Sequence, residues 1–268
     1  ALLLFALLRD RGRGGDSGVP EQVHGHTFLE IGWTLAPAAI LFFIAIPTIR
    51  VIFLTQDDPP RRDVVEVEVI GHQWWWEFNY PDLGVSTANE LHLPLGRTAR
   101  LTLTSADVIH SFWVPRLGGT RDLNPGSENV IWFTPEIAGS FEGACAEFCG
   151  LSHANMRLTV FVDEPDAFDA WVEDHSVAAP DSAGFHAFLT SGCAACHAIA
   201  GTPAQGRLGP DLTRVGERTT IASGLYPNTR ESMAGWLRNP DSMKPGALMP
   251  DLNLSEERID ELVTFLEG

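Results

Sequence analysis

Cysteine and positive charge are both scarce in this sequence. Its 268 residues include only four cysteines, all in two short motifs, which leaves none for a disulfide framework. Eighteen lysines and arginines stand against 35 acidic residues, for a formal charge of −17, and this argues against nucleic acid as a partner. An acidic surface suits either a basic protein partner or plain solubility, and charge alone does not separate them. Length and an apolar fraction of 44% allow two domains with real cores.

The N-terminal part, residues 1–58, predicts a membrane anchor. Residues 1–8 are wholly apolar but shorter than the roughly 20 residues that cross a bilayer. We expect them to be the tail of a first transmembrane helix rather than a signal-peptide remnant. A run from about residue 29 to residue 55 is apolar and long enough to span the membrane, the alternative being a buried core helix. Three arginines between residues 9 and 13 favour the cytoplasm, which places the chain after residue 55 outside it.

Residues 59–175 contain several short segments typical of β-strands. Each segment alternates apolar and polar residues or is rich in β-branched and aromatic ones, and glycine and proline clusters separate them. This pattern predicts a β-sandwich or barrel. The segments are residues 64–70, 97–104, 128–134 and 157–162. In HQWWWEFNY, three consecutive tryptophans are expected to place rings on both faces of a strand. We expect a short helix over residues 163–175, a linker at 176–183 and a second domain at 184–268.

A twelve-residue stretch, CAEFCGLSHANM, concentrates soft and borderline metal donors. The donors are Cys145, Cys149, His153 and Met156. Thiolate, imidazole and thioether together favour copper over the hard cations that prefer oxygen. Two thiolates four positions apart can bridge two metals, so the stretch predicts a binuclear copper centre. A structural zinc, a disulfide or free thiols are the alternatives.

Such a centre needs one histidine for each copper, and this stretch supplies only one. His110, in DVIHSFWVP, lies between two strand-like segments and is the best candidate for the second. Glu147 stands between the two cysteines, and its backbone carbonyl is the candidate weak axial ligand opposite Met156.

The second cysteine motif, CAACH, is the attachment sequence of a c-type haem. It predicts thioethers from Cys193 and Cys196 and makes His197 the proximal iron ligand. A thiol redox pair or half of a zinc site is the alternative reading of an isolated CxxC. The distal ligand has three candidates, which are Met233, Met243 and Met249. We expect Met249, which lies just before the last predicted helix, because Met233 fits a helical core pattern.

Three motifs in order, GHQWWWEFNYP, DVIHSFWVP and CAEFCGLSHANM, resemble subunit II of the haem-copper cytochrome c oxidases. The likeness covers roughly residues 20–163. CAACH and LGPDLTRVGER extend it over about 183–268, to the oxidase subtype with cytochrome c fused to subunit II. The resemblance implies a transmembrane helix anchor, then a cupredoxin-like Greek-key β-sandwich or barrel, then an all-α cytochrome c domain.

The resemblance also implies roles for three further groups. Trp74 matches an aromatic that relays electrons between the copper centre and the partner subunit, and the carbonyl of Pro210 accepts the ring N–H of His197. The carboxylate of Glu147 points toward subunit I and shares a magnesium ion with it. Ser127 departs from the family, which often has arginine at that position, and this puts one interface salt bridge in doubt.

The function implied by the resemblance is electron entry into a terminal oxidase. Electrons would pass from haem c to a two-copper centre, copper A, and on to subunit I, where oxygen reduction and proton pumping occur. Expected partners are subunits I and III, with cytochrome c or quinol–cytochrome c reductase as donor, in a bacterial inner membrane with both redox domains outside the cytoplasm. The alternatives are a nitric or nitrous oxide reductase with copper A and a non-enzymatic copper delivery protein.

Overall fold

The structure is a computed structural model of the chain. It describes residues 2–9, 24–56, 63–175 and 183–268. The chain divides into two compact units, Ala1–Asp57 and Asp58–Gly268. Residues 176–182 of the predicted linker at 176–183 and most of the arginine-containing segment after residue 9 lie outside the described residues, while Ala183 belongs to a helix.

The described part of the first unit is helical. Helix α1 covers Leu2–Arg9, and helix α2 covers Thr27–Gln56, close to the predicted span of 29–55. By length and composition, Thr27–Leu54 is the one helix among the described residues that can cross a membrane. Its apolar side chains are exposed around the whole circumference, as expected of a helix that lipid surrounds.

Ten strands form within residues 63–175. They are β1 (Val64–His72), β2 (Trp75–Tyr80), β3 (Val85–Ala88), β4 (Glu90–Pro94), β5 (Thr98–Ser105), β6 (His110–Trp113), β7 (Arg121–Leu123), β8 (Asn129–Phe133), β9 (Gly139–Cys145) and β10 (Arg157–Asp163). One five-stranded sheet has the order β3-β2-β1-β5-β8, and the other has the order β4-β10-β9-β6-β7. Strands β1 and β5 are parallel, as are β4 and β10, and the other neighbouring strands in these two sheets run antiparallel.

The inner faces of the two sheets share one apolar core. Alternation along β1 buries Val65, Val67 and Val69 while the acidic residues between them face outward. Val67 pairs in register with Leu101 of β5, and both side chains are fully buried. The predicted β-sandwich is therefore confirmed, because the period-two pattern set which face of each strand became core.

The sequence predicts that all three consecutive tryptophans lie in one strand, and this prediction is wrong. Gln73 and Trp74 form the two-residue turn between β1 and β2, and only Trp75 and Trp76 belong to the strand. Trp76 is fully buried against Phe112, with their rings 5.7 Å apart and perpendicular. Because Trp74 lies in the turn, its side chain does not follow the inward and outward alternation of strand residues. Its indole lies against Gly150.

The remainder of the chain is mainly helical. Helices α3 (Pro165–His175), α4 (Ala183–Thr190), α5 (Arg230–Arg238), α6 (Pro240–Met243) and α7 (Glu256–Leu266) accompany a short ladder of β11 (Thr220–Ile221) and β12 (Tyr226–Pro227). The second domain was expected to be all-α, but it also contains the two-stranded ladder of β11 and β12. Helix α7 begins at a capping serine, with Ser255 Oγ accepting a hydrogen bond from the Arg258 N–H at 3.3 Å. Its apolar face buries Ile259, Leu262 and Val263 in a second core.

Candidate metal and haem sites

The structure brings the predicted copper donors together at one end of the sandwich. Cys145 Sγ lies 3.8 Å from Cys149 Sγ and 3.8 Å from His110 Nδ1. Cys149 Sγ lies 3.6 Å from His153 Nδ1. The ligand atoms of His110, Cys145 and Cys149 all fall within 4.8 Å of one another, and these three residues are buried. Each sulfur therefore has its own histidine nitrogen nearby.

The two predicted axial groups complete the cluster. Met156 Sδ is 3.9 Å from Cys149 Sγ, and the Glu147 carbonyl oxygen is 3.2 Å from Cys145 Sγ. Cys145 and Cys149 are not disulfide-bonded in this structure, because their sulfurs lie 3.8 Å apart and bonded sulfurs are about 2.05 Å apart. A fully buried thioether beside two thiols and two imidazoles is a donor set that suits copper better than zinc.

Strand pairing explains how distant residues meet here. Strand β6 pairs with β9 so that Phe112 is opposite Cys145, which places His110 next to the start of the metal loop, residues 145–156. Gly71 of β1 makes room for the imidazole, since a Cβ at that position would lie only 2.7 Å from His110 Cδ2. A rigid sheet thus holds a ligand 35 residues upstream of Cys145.

Asp107 is a site residue that the sequence analysis missed. Its carboxylate accepts hydrogen bonds from the Gln73 N–H at 2.7 Å and the Val108 N–H at 2.6 Å, and lies 2.8 Å from His110 Nε2. With Nε2 held there, Nδ1 faces the sulfur of Cys145. Burial is the largest single influence and lowers the pKa of His110, but the hydrogen bonds and charge interactions with Asp107 and Cys145 together outweigh it, so the pKa is raised. In the sequence, the one indication of this role is that a carboxylate stands three residues before the candidate ligand His110.

The two thiols differ in acidity. The hydrogen bond with Cys149, opposed by burial, lowers the pKa of Cys145 to about 3. The same contact and burial raise the pKa of Cys149. Both cysteines must lose their protons to bind copper as thiolates, so metal binding would release the proton of Cys149.

A cavity of about 430 Å³ in the helical domain contains the predicted haem ligands. Cys193, Cys196, His197 and Met249 all line it. His197 Nδ1 donates to the Pro210 carbonyl at 2.7 Å, the contact that the resemblance implied. That bond leaves Nε2 available for iron, and burial lowers the pKa of His197, which favours the neutral form that binds metal. Gly209 permits this approach, because a Cβ there would lie 2.5 Å from His197 Cε1.

The three candidate distal methionines occupy different places. Met249 and Met233 both line the cavity, and Met233 is also part of the buried face of α5. The sulfur of Met243 instead packs against α5, 3.1 Å from where a Cβ on Gly235 would lie. Met243 is not among the described residues that line the cavity. This packing favours Met249 over Met243.

Arg218 shows that the cavity suits an anionic prosthetic group. The residue is half-buried and lines the cavity, and among the described residues its buried Nε has no hydrogen-bond partner. Its Nη2 donates to the Asp211 carbonyl at 2.5 Å. Burial lowers the pKa of the guanidinium. A haem, which carries two carboxylates and a flat apolar ring, fits both the apolar walls and this unpaired donor.

The β1–β2 turn touches both sites. Trp74 Nε1 and Gln73 Nε2 donate to the carbonyl of Cys149, at 3.0 and 2.7 Å. Both residues also line the haem cavity. The turn is therefore a wall that the two candidate sites share.

Comparison with known proteins agrees with this pairing of sites. Residues 84–162 match the family described as cytochrome c oxidase subunit II, periplasmic domain. Residues 2–51 match its transmembrane domain, and residues 182–268 match cytochrome c. Cytochrome c oxidase subunit 2 of Alkalihalophilus pseudofirmus is 39% identical over 100% of this chain and 81% of its own length. The chain belongs to the cytochrome c oxidase subunit 2 family.

Other members of the family are also similar over most of their length. Cytochrome c oxidase subunit 2 of Bacillus subtilis is 35% identical, over 96% of this chain and 79% of that protein. Among solved structures, the periplasmic domain of subunit II of cytochrome oxidase from Bradyrhizobium japonicum is 34% identical, with a TM-score of 0.41. It covers 42% of this chain and 94% of that domain.

Family membership defines the architecture in functional terms. The chain is an oxidase subunit II with an N-terminal apolar helix, a cupredoxin-like β-sandwich and a C-terminal cytochrome c domain. Such subunits belong to haem-copper oxidase complexes together with subunit I, and the family's domains imply copper A and haem. The matched descriptions assign the sandwich to the periplasm and suggest that α2 is a membrane anchor.

Proposed function

We propose that this chain is the electron-entry subunit of a proton-pumping cytochrome c oxidase in a bacterial inner membrane. Subunit III and either cytochrome c or quinol–cytochrome c reductase are its further partners. When bound, haem c and copper A supply one-electron carriers. The observation that carries the proposal is the shared wall, since Trp74 lines the haem cavity and donates to the backbone of Cys149.

The copper pair would be held by the cluster at the end of the sandwich. The sulfurs of Cys145 and Cys149, which lie 3.8 Å apart, would be shared by the two metals, and His110 and His153 each lie beside one sulfur. Met156 and the Glu147 carbonyl would contribute the weak remaining donors. These residues come from a rigid sheet and a tight loop, so they need little rearrangement on binding, which favours rapid one-electron exchange.

The haem would be held in the helical domain. Cys193 and Cys196 would attach it, His197, oriented by its hydrogen bond to Pro210, would bind the iron, and Met249 would supply the second iron ligand. The apolar walls exclude water and raise the potential, as an electron-transfer cytochrome requires.

Trp74 is the proposed electron relay. Its indole is 9% exposed, and it lies between the haem cavity and the backbone of a copper ligand. The hydrogen bond to the Cys149 carbonyl fixes the orientation of the ring relative to the metal loop.

Cys149→Ser in the intact oxidase tests the proposed order of the centres. Removing one bridging sulfur should abolish the binuclear copper signal in electron paramagnetic resonance and leave haem c attached and reducible. Stopped-flow reduction should then fill haem c without reducing the haems of subunit I. Ser140→Ala, an exposed change on β9, is the matched control. Reduction of the partner haems at the wild-type rate in Cys149→Ser would show that electrons bypass copper A.

A magnesium site shared with subunit I completes the proposal. The side chain of Glu147 is exposed while its carbonyl faces Cys145, so the two ends of one residue are free for different metals. Magnesium takes few carboxylates and keeps several waters, which suits a subunit boundary. Glu147→Gln should lower magnesium or manganese occupancy in the complex and leave copper bound, whereas Glu142→Gln, an exposed change on β9, should alter neither. Unchanged occupancy in Glu147→Gln would contradict this site.

A further inference from the structure

A three-residue segment after α6 packs on the shared turn. Lys244 is 4% exposed, and its Nζ donates to the Trp74 carbonyl and, at 2.8 Å, to Ser223 Oγ. Ser223 Oγ in turn donates to the same carbonyl at 2.9 Å. A buried amino group is costly unless it is hydrogen-bonded, and here the copper domain supplies one of the acceptors.

The next two residues of the segment contact the metal loop and the tryptophan ring. Ser152, fully buried and adjacent to the ligand His153, donates its Oγ to the Pro245 carbonyl at 2.5 Å. Gly246 has φ +83°, and a Cβ there would lie 3.0 Å from Leu151 Cδ2 and from Trp74 Cζ3. The segment therefore lies flat on both the turn and the loop, where only glycine fits without displacement.

A second group of contacts fixes the domains at another point. Glu90 of β4 is 3% exposed, and its Oε1 accepts from both the N–H and the hydroxyl of Thr219, at 2.9 and 2.6 Å. It also accepts from the N–H and the hydroxyl of Thr220, at 3.0 and 3.2 Å. A buried carboxylate with this set of donors is satisfied only when the cytochrome domain is in place.

We propose that Lys244–Gly246 is a positioning segment that holds the cytochrome and copper domains in one arrangement, with Trp74 fixed between their sites. The inference rests on the proposed function, because it concerns how haem c and copper A are kept at a fixed separation for electron transfer. Domains joined by a short linker alone would meet at an effective concentration near millimolar and separate again. Here separation breaks the hydrogen bonds of buried polar side chains on both sides, so the docked arrangement is the specified one.

Gly246→Ala in the full chain within the oxidase is the direct test. The added methyl should force the segment away from Trp74. Gly96→Ala is the matched control, since Gly96 also has positive φ (+76°) but a Cβ there would meet nothing within 4 Å. Hydrogen exchange gives a readout that does not depend on enzyme turnover. The amides of Thr219 and Thr220 should exchange about tenfold faster or more in Gly246→Ala, from the usual cost of overpacking. Amides of the β1–β5 ladder should keep their protection.

Lys244→Met provides a second variant, which keeps an unbranched side chain one atom shorter and removes the donor. The amides of Thr219 and Thr220 should again lose protection, and transfer from haem c to copper A should become dependent on ionic strength, as in a transient encounter. Copper and haem spectra should stay unchanged. Wild-type protection and salt-independent transfer in both variants would overturn the proposal. A wild-type oxidase in which haem c never reduces copper A would instead overturn the proposed function, and hydrogen exchange would still test the positioning segment.

Discussion

The single lysine of the chain should make its stability depend on pH in the alkaline range. Lys244 is the only lysine among 268 residues, and burial lowers its pKa from 10.5 to about 7. The perturbation is Lys244→Met, compared with the wild-type chain. Because no other lysine is present, few other side chains titrate between pH 7 and 10.

The sign follows from proton binding in the two states. Between pH 7 and pH 10.5 the unfolded chain carries a proton on Lys244 and the native chain does not. The free energy of unfolding therefore rises with pH across this window, by up to about 1.4 kcal/mol per pH unit. From pH 6 to pH 9 the expected gain is roughly 2.5 kcal/mol. Below pH 7 both states are protonated, and the native state bears the full cost of the buried charge.

Urea unfolding of the full-length chain in detergent, at a series of pH values from 6 to 9, measures this gain. The difference between wild type and Lys244→Met cancels the titration of every other group. Loss of the hydrogen bonds to Trp74 and Ser223 adds an offset that hardly varies with pH, whereas the titration adds a slope. A difference that stays flat over the whole range would show that the native amine keeps its proton and that the reasoning is wrong.

Three further experiments test the proposed ligands and their supporting groups. Met249→Ala should remove the sulfur-to-iron absorption band and lower the haem potential, while Met243→Ala should leave both unchanged. If Met243→Ala has these effects and Met249→Ala has none, the wrong sulfur was assigned. Asp107→Asn should weaken copper binding roughly ten- to hundredfold, because the ring of His110 loses the hydrogen bond that orients it. Competition with a chelator measures the copper affinity, and an affinity equal to that of the wild type would contradict this role of Asp107. Met156→Leu should retain two coppers by metal analysis but shift their potential, and loss of the pair would show that the thioether is more than a weak axial ligand.

The individual sites could be predicted from the sequence because their ligands are close together along the chain. Cys145, Cys149 and Met156 lie in one loop, and their spacing alone indicated the chemistry. The haem attachment residues are likewise local. Even the remote ligand His110 was marked by its place between two strand-like segments, since sheets bring such positions together.

The contacts between the domains could not be predicted in the same way. Trp74 and Lys244 are separated by 170 residues, and Glu90 and Thr219 by 129. No periodicity or motif links positions so far apart, because their contact depends on how two finished domains pack. The role of Trp74 was inferred from resemblance alone, and the sequence wrongly placed it in a strand, since a two-residue turn interrupts the aromatic run without glycine or proline.

The contacts of Glu90 determine how a truncated form of this protein would behave. A chain that ends at His175 keeps every copper donor but loses Thr219 and Thr220, the partners of the buried carboxylate. Trp74 loses its cover at the same time, since Gly246 packs against the indole ring. Such a fragment would present an anionic, aromatic face to solvent that the intact subunit never shows. Its behaviour toward soluble, basic electron donors would therefore overstate how readily the whole subunit accepts electrons at copper.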